Sequence, residues 1–166
     1  MSGVNELLGR IAHAPAEPDF WQAAMDLGRT GARRAVRPLI RLARRTPESS
    51  RRRAILHALW LLDDPRATHL FLHTGRHGAS EMARVIAVEG LGAAVHRPYV
   101  QRALADFLSA PSVAVRYSAL CAAGRLRRGP VHPALRQALH RAQGDPASLY
   151  EEGDIARLAA HCAMLA

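Results

Sequence analysis

Four stretches, Ala23-Ala24-Met25-Asp26-Leu27-Gly28, Ile55-Leu56-His57-Ala58-Leu59-Trp60, Ala87-Val88-Glu89-Gly90-Leu91-Gly92 and Ala119-Leu120-Cys121-Ala122-Ala123-Gly124, align on the column Leu27, Leu59, Leu91, Ala123, which recurs every 32 residues. The next column reads Gly28, Trp60, Gly92, Gly124; its three small residues mark a close helix approach or the end of a first helix. Pro15, Pro47 and Pro111 share another phase, with Ala79 in the third slot, and Ser80 and Ser112 follow as expected N-caps. Arg52, Arg84 and Arg116 form one more column, with Phe20 in its first slot. Self-similarity at a fixed period of this length marks a stacked-repeat architecture.

Each period resolves into two helices. In the third, the first helix is predicted over roughly 81–92 and the second over roughly 98–109. Met82, Val85, Ile86 and Leu91, then Val100, Ala103, Leu104 and Phe107, fall at helical spacing rather than in alternation. Asp64-Pro65 marks the start of a second helix, since proline suits a first-turn position. No single helix can bury its apolar face alone, so stability must come from stacking one unit on the next. Leu27, Leu56, Leu59, Ile86, Leu91, Leu104, Leu120 and Leu135 are the predicted core. The expected layout is one repeat domain over 1–166, with repeats at roughly 16–47, 48–79, 80–111 and 112–146 and caps at 4–13 and 149–165.

The segments Gly31-Ala32-Arg33-Arg34-Ala35-Val36-Arg37-Pro38-Leu39-Ile40 and Asp64-Pro65-Arg66-Ala67, together with Val115-Arg116 and Ala119-Leu120, resemble HEAT-like repeats, in particular the short phycobilisome-lyase-type units. The resemblance spans about 20–142. It implies an all-α fold, a right-handed α-solenoid of about four helical hairpins with capping helices, in which the second helices line a concave face. It implies little about function, because that family includes scaffolds, adaptors, lyase subunits and DNA-binding relatives. Trp60 departs from the pattern, which has glycine there. The resemblance also makes the arginine of the 52, 84, 116 column part of the repeat itself, bonding carbonyls or acids of the adjacent unit, in preference to a phosphate ladder.

Composition agrees with helix. Hydrophobic residues make up 49% of the 166, which excludes a disordered polymer, and Ala, Leu and Arg are strong helix formers. The formal charge is +9, yet there is no lysine. Arginine therefore stands wherever a surface base is needed, which weakens the inference from basicity to an anionic partner. Cys121 and Cys162 lie in Ala-rich text with no CxxC and read as reduced, partly packed thiols. No signal peptide or membrane span is legible, so a cytoplasmic location is expected.

On the second helix of the first repeat, Val36, Leu39, Ile40 and Ala43 form the apolar set, leaving Arg34, Arg37, Arg41 and Arg44 opposite. Carrying the period forward gives His69 and His73, then Gln101 with Arg102, and after a slip of about three residues Arg136 and His140. These ten residues are the candidate partner-binding groove. Arginine's planar fork pairs bidentately with carboxylate or phosphate; the plainer reading is a solvated face of a lysine-free protein. His69 and His73 have chelating i, i+4 spacing, but no carboxylate stands near to complete or orient a site, and Gly75 and Gly78 are expected to end the helix before His77. Trp60 is expected in the core or a repeat interface. Glu151-Glu152-Gly153-Asp154 suits a helix N-terminus, and adjacent His161 and Cys162 cannot form a nucleophile pair.

No phosphate loop, nucleophile elbow or zinc-ligand spacing occurs. The sequence thus reads as a non-enzyme without catalytic residues, metal or cofactor. Its expected role is a protein–protein interaction scaffold, an adaptor, regulator or immunity-type inhibitor, whose Arg/His-rich groove holds an acidic partner. Nucleic-acid binding through the same groove is the alternative, and a tetrapyrrole lyase or chaperone subunit a more remote one.

Overall fold

The computed structural model describes residues 3–13, 16–46 and 49–143. Among them stand nine α-helices, three 3₁₀ turns and no strand. The helices are α1 (Val4–His13), α2 (Glu17–Arg29), α3 (Val36–Arg45), α4 (Ser49–Leu62), α5 (Thr68–His77), α6 (Glu81–Gly90), α7 (Pro98–Phe107), α8 (Val113–Ala123) and α9 (Pro133–Gln143). This is the all-α solenoid architecture that the 32-residue period predicts. The final helix expected near 149–165, with Cys162 and the acidic run at 151–154, lies outside the described residues.

The chain divides into two compact units, Met1–Gly90 and Leu91–Ala166. In the first, α2 packs against α1 and α4, α4 against α6, α3 against α4 and α5 against α6. Leu27, Leu39, Ile55, Leu56, Leu59 and Phe71 are fully buried there. In the second, α7 packs against α8 and α9 around Val100, Leu104, Leu120 and Leu135. A buried leucine contributes about 1.5–3 kcal/mol relative to an exposed one, so these seams dominate local stability. Ile86 corrects the core prediction: it is only half-buried, while Ala83, Ala87 and Val88 supply the buried side of α6.

Local chemistry sets the helix ends. Ser80 Oγ accepts from Ala83 N–H and Ser112 Oγ from Val115 N–H, both at 3.2 Å, as the N-cap reading requires. The Arg column is structural in two of its three members. Arg52 donates from Nε and Nη2 to the Thr46 carbonyl at 2.9 and 2.6 Å, and Arg116 donates from Nη1 to the Ala110 and Pro111 carbonyls at 2.9 and 3.0 Å. Each arginine satisfies chain carbonyls just before its own helix, which would otherwise lack partners. Arg84 differs: its Nε is buried without a hydrogen-bond partner among the described residues.

The small-residue column has a packing cause at Gly28, where a Cβ would come within 3.0 Å of the Ala58 backbone and of Leu61. A tighter approach falls at Gly90, where a Cβ would lie 2.6 Å from the Phe71 ring. Gly75 does not break α5, which continues through His77 to a cap at Gly78. The expectation that His77 lies beyond the helix is corrected accordingly. A ten-residue helix tolerates one glycine when the buried side needs a small residue, and Gly75 is buried.

Candidate interaction surface

Helix α3 is sharply two-sided. Val36, Leu39 and Ala43 are buried, whereas Arg37, Arg41, Arg44 and Arg45 are exposed, as is Arg34 on the preceding 3₁₀ turn. Positions 34, 37, 41 and 44 follow the three-and-four spacing that stacks side chains along one helix face. They form a stripe roughly 15 Å long at 1.5 Å per residue. There is no carboxylate on α3.

The base of the stripe is fixed by a buried carboxylate. Asp64 caps the 3₁₀ turn Pro65–Ala67 by accepting from Arg66 N–H at 2.9 Å. Arg66 Nε and Nη2 donate to its two oxygens at 2.8 and 2.7 Å. Arg33 lies 3.9 Å away, and Arg66 Nη2 also donates to the Arg33 carbonyl at 2.8 Å. The side-chain hydrogen bonds from Arg66 hold the Asp64 carboxyl below the usual range, against the opposing effect of its burial. Asp64 is therefore committed to joining the two turns that lead into α3 and α5.

On α5, His69 and His73 are exposed, and the His73 and His77 rings stand 5.2 Å apart. Among the described residues no group of three or more His, Cys, Asp and Glu is disposed to hold a metal. In the second unit, Arg102 on α7 and Arg136 and His140 on α9 are exposed. Gln101 is the exception, 1% exposed. Its Nε2 donates to the Pro130 carbonyl at 3.2 Å and its Oε1 accepts from His132 N–H at 2.6 Å. A buried amide needs such partners, so Gln101 anchors the loop into α9 and lines no surface. The 32-residue arithmetic placed it outward because it ignores how completely α8 and α9 cover α7.

A second constellation was not foreseen. Trp60, expected in the core or a repeat interface, is partly buried, and its ring stacks on His57 at 5.2 Å. His57 also meets Trp21 at 6.0 Å, and the Arg53 guanidinium lies 5.6 Å from the Trp21 ring centre. Burial, and secondarily the Arg29 charge, push the His57 imidazole below its ordinary value. Trp21 and Arg53 are one period apart, so the 32-residue spacing held the signal that they meet on neighbouring helices.

A helical-repeat fold with exposed arginine rows is the class these features define. No protein-family model matches the chain, and no curated protein matches it. Among solved structures, it is similar to a chain in the complex of CpcE and CpcF of phycocyanin lyase from Nostoc sp. PCC7120. The TM-score is 0.74 at 18% identity, covering 95% of this chain and 96% of that one. At that identity the likeness establishes the fold. It also overturns the expectation of a non-enzyme: a chain of this fold belongs to a lyase, so neither the fold nor missing catalytic motifs sets this chain apart from enzymes. No helix among the described residues is long and apolar enough to cross a membrane.

Proposed function

We propose that the chain is a protein-binding helical-repeat subunit whose first unit holds an acidic segment of a partner against Arg34, Arg37, Arg41 and Arg44, with His69 and His73 at its margin. The observation that carries this reading is the α3 stripe: four exposed arginines at helical spacing, no acid on the helix, and the adjacent Asp64 already engaged. A carboxylate-rich segment pairs with such a row through bidentate contacts. The fold match supports the reading by analogy, since that solved structure is a complex of two proteins.

The test is fluorescence anisotropy with a Glu/Asp-rich peptide on the parent and on Arg37→Ala/Arg41→Ala. The double variant should bind at least about tenfold more weakly while its stability stays within about 0.5 kcal/mol, as for exposed substitutions. Equal affinity in the two proteins would remove the reading. The same fold match motivates a second reading, a subunit of a lyase that handles a tetrapyrrole for a partner protein. Visible absorbance remaining on the acceptor protein after denaturation would mark that activity.

A further inference from the structure

Both tryptophans of the chain stand in one place, on helices that the α3 stripe does not use. The three phenylalanines, Phe20, Phe71 and Phe107, are buried, whereas Trp21 on α2 and Trp60 on α4 are each left partly exposed. Repeat packing does not account for Trp60, because the other three repeats hold glycine at that position, Gly28, Gly92 and Gly124. An indole there adds apolar surface that the repeat itself does not require. Large apolar side chains gathered at a surface mark a place where another molecule packs.

The cluster lies along the seam where α2 packs against α4. Trp21 meets His57 across that seam at 6.0 Å, and Trp60 stacks on His57 along α4 at 5.2 Å. The Arg53 guanidinium stands 5.6 Å from the Trp21 ring centre. Arg29 follows about two helical turns beyond Trp21 on α2, and its charge is felt at His57. Its own tie to Asp26 is loose, at 3.9 Å, and its side chain is 69% exposed. Two indoles and an imidazole thus form one ridge, with guanidinium groups beside it.

We propose that this ridge docks an amphipathic helix of a partner protein, whose apolar side chains cover the two indoles and whose acidic side chains pair with Arg53 and Arg29. Tryptophan and arginine are the side chains that dominate the centres of protein interfaces, and a helix laid along an apolar groove is a recurring mode of recognition. Charge selects the acidic flank. A second copy of this chain would bring the same guanidinium groups and a net charge of +9 against its own kind. A single-stranded nucleic acid stacks its bases on open ring faces, whereas Arg53 already covers a face of Trp21 and His57 a face of Trp60. A ligand cation, which aromatic rings can also hold, is repelled by the same arginines. The inference stands apart from the α3 reading, because it uses other helices and a ligand with an apolar anchor.

The experiment reads intrinsic tryptophan emission, since both tryptophans lie in the ridge. Tryptophan-free helical peptides of about three turns, roughly eleven residues, are selected from a displayed random library for binding to the full chain. The selected peptides should share apolar residues at i, i+3 or i+4, and i+7, flanked by Glu or Asp. They should shift the emission to the blue in a saturable way. Trp60→Ala should bind them at least about tenfold more weakly, as truncation of an anchor does, with Trp21 still reporting. Arg53→Gln should bind about three- to tenfold more weakly and lose the preference for Glu over Gln at the flanking positions. Should Trp60→Ala lose its helical circular dichroism, Arg53→Gln carries the test. A selection that yields no peptide able to move the emission, peptides flanked by Arg or Lys, or parental binding by a folded Trp60→Ala would overturn the proposal. So would a dimer of the parent that Trp60→Ala dissolves, or a larger emission change with oligo(dT) than with any peptide.

Discussion

His57 shows how a single residue stores a pH response. Its ring meets Trp21 and Trp60, its Nδ1 is buried without a hydrogen-bond partner among the described residues, and burial with the Arg29 charge disfavours its protonated form. Its folded pKa is depressed below the ordinary imidazole value of about 6.5. The unfolded chain therefore binds a proton here more readily than the folded one. The neutral ring contributes stability that is complete above pH about 6.5 and lost as pH falls towards the folded value. His57→Phe keeps the ring and removes the titration. Its melting temperature should fall less than the parent's between pH about 7.5 and about 5.5, and parallel losses would show that His57 does not set the response. Residue roles were legible in the sequence where the partner is near along the chain, as for Ser80, Ser112, Arg52 and Arg116. They were not legible for Gln101, whose partners Pro130 and His132 lie far along the chain.

At the scale of the element, the helices were readable because their apolar spacing repeats and their starts carry Ser, Asp and Pro signals. Depth of burial was less readable. Ile86 and Val85 are only half-buried on α6, because the small residues Ala83, Ala87 and Gly90 form its packed side. Gly90 permits α5 and α6 to touch at Phe71, a ring 1% exposed that has no room to swing aside. Gly90→Ala should destabilise the chain by about 1–3 kcal/mol through overpacking, despite alanine's better helix propensity. Gly9 on α1 has nothing within 4 Å of a modest side chain. There the same change should stabilise by up to about 1 kcal/mol. Urea midpoints that move in the same direction for both variants would contradict this packing of α6.

For the whole molecule, a net charge of +9 opposes compaction. Most of the arginines outside α2, α4 and the Asp64 cluster are exposed, so their mutual repulsion is open to screening. Raising salt from about 10 mM to about 150 mM shortens the Debye length from about 30 Å to about 8 Å. The melting temperature should rise across that range. A fall would mean that attractive ion pairs outweigh repulsion. The pair between buried Asp64 and exposed Arg66, held by short bidentate hydrogen bonds, should respond less than the free arginines. The charge itself was plain from composition; the boundary near residue 90 was not, because only the packing supplies it.

The bonds of Arg52 and Arg116 reach back only about six residues, to Thr46 in one case and to Ala110 and Pro111 in the other. The joint between consecutive hairpins thus runs from an arginine of one unit to a main-chain carbonyl at the end of the unit before it. A gene segment of one period, duplicated in tandem, brings its own hinge pin and asks no particular side chain of the copy it lands beside. An array joined in this way can lengthen or shorten by whole units, while its surface arginines are free to diverge from one copy to the next.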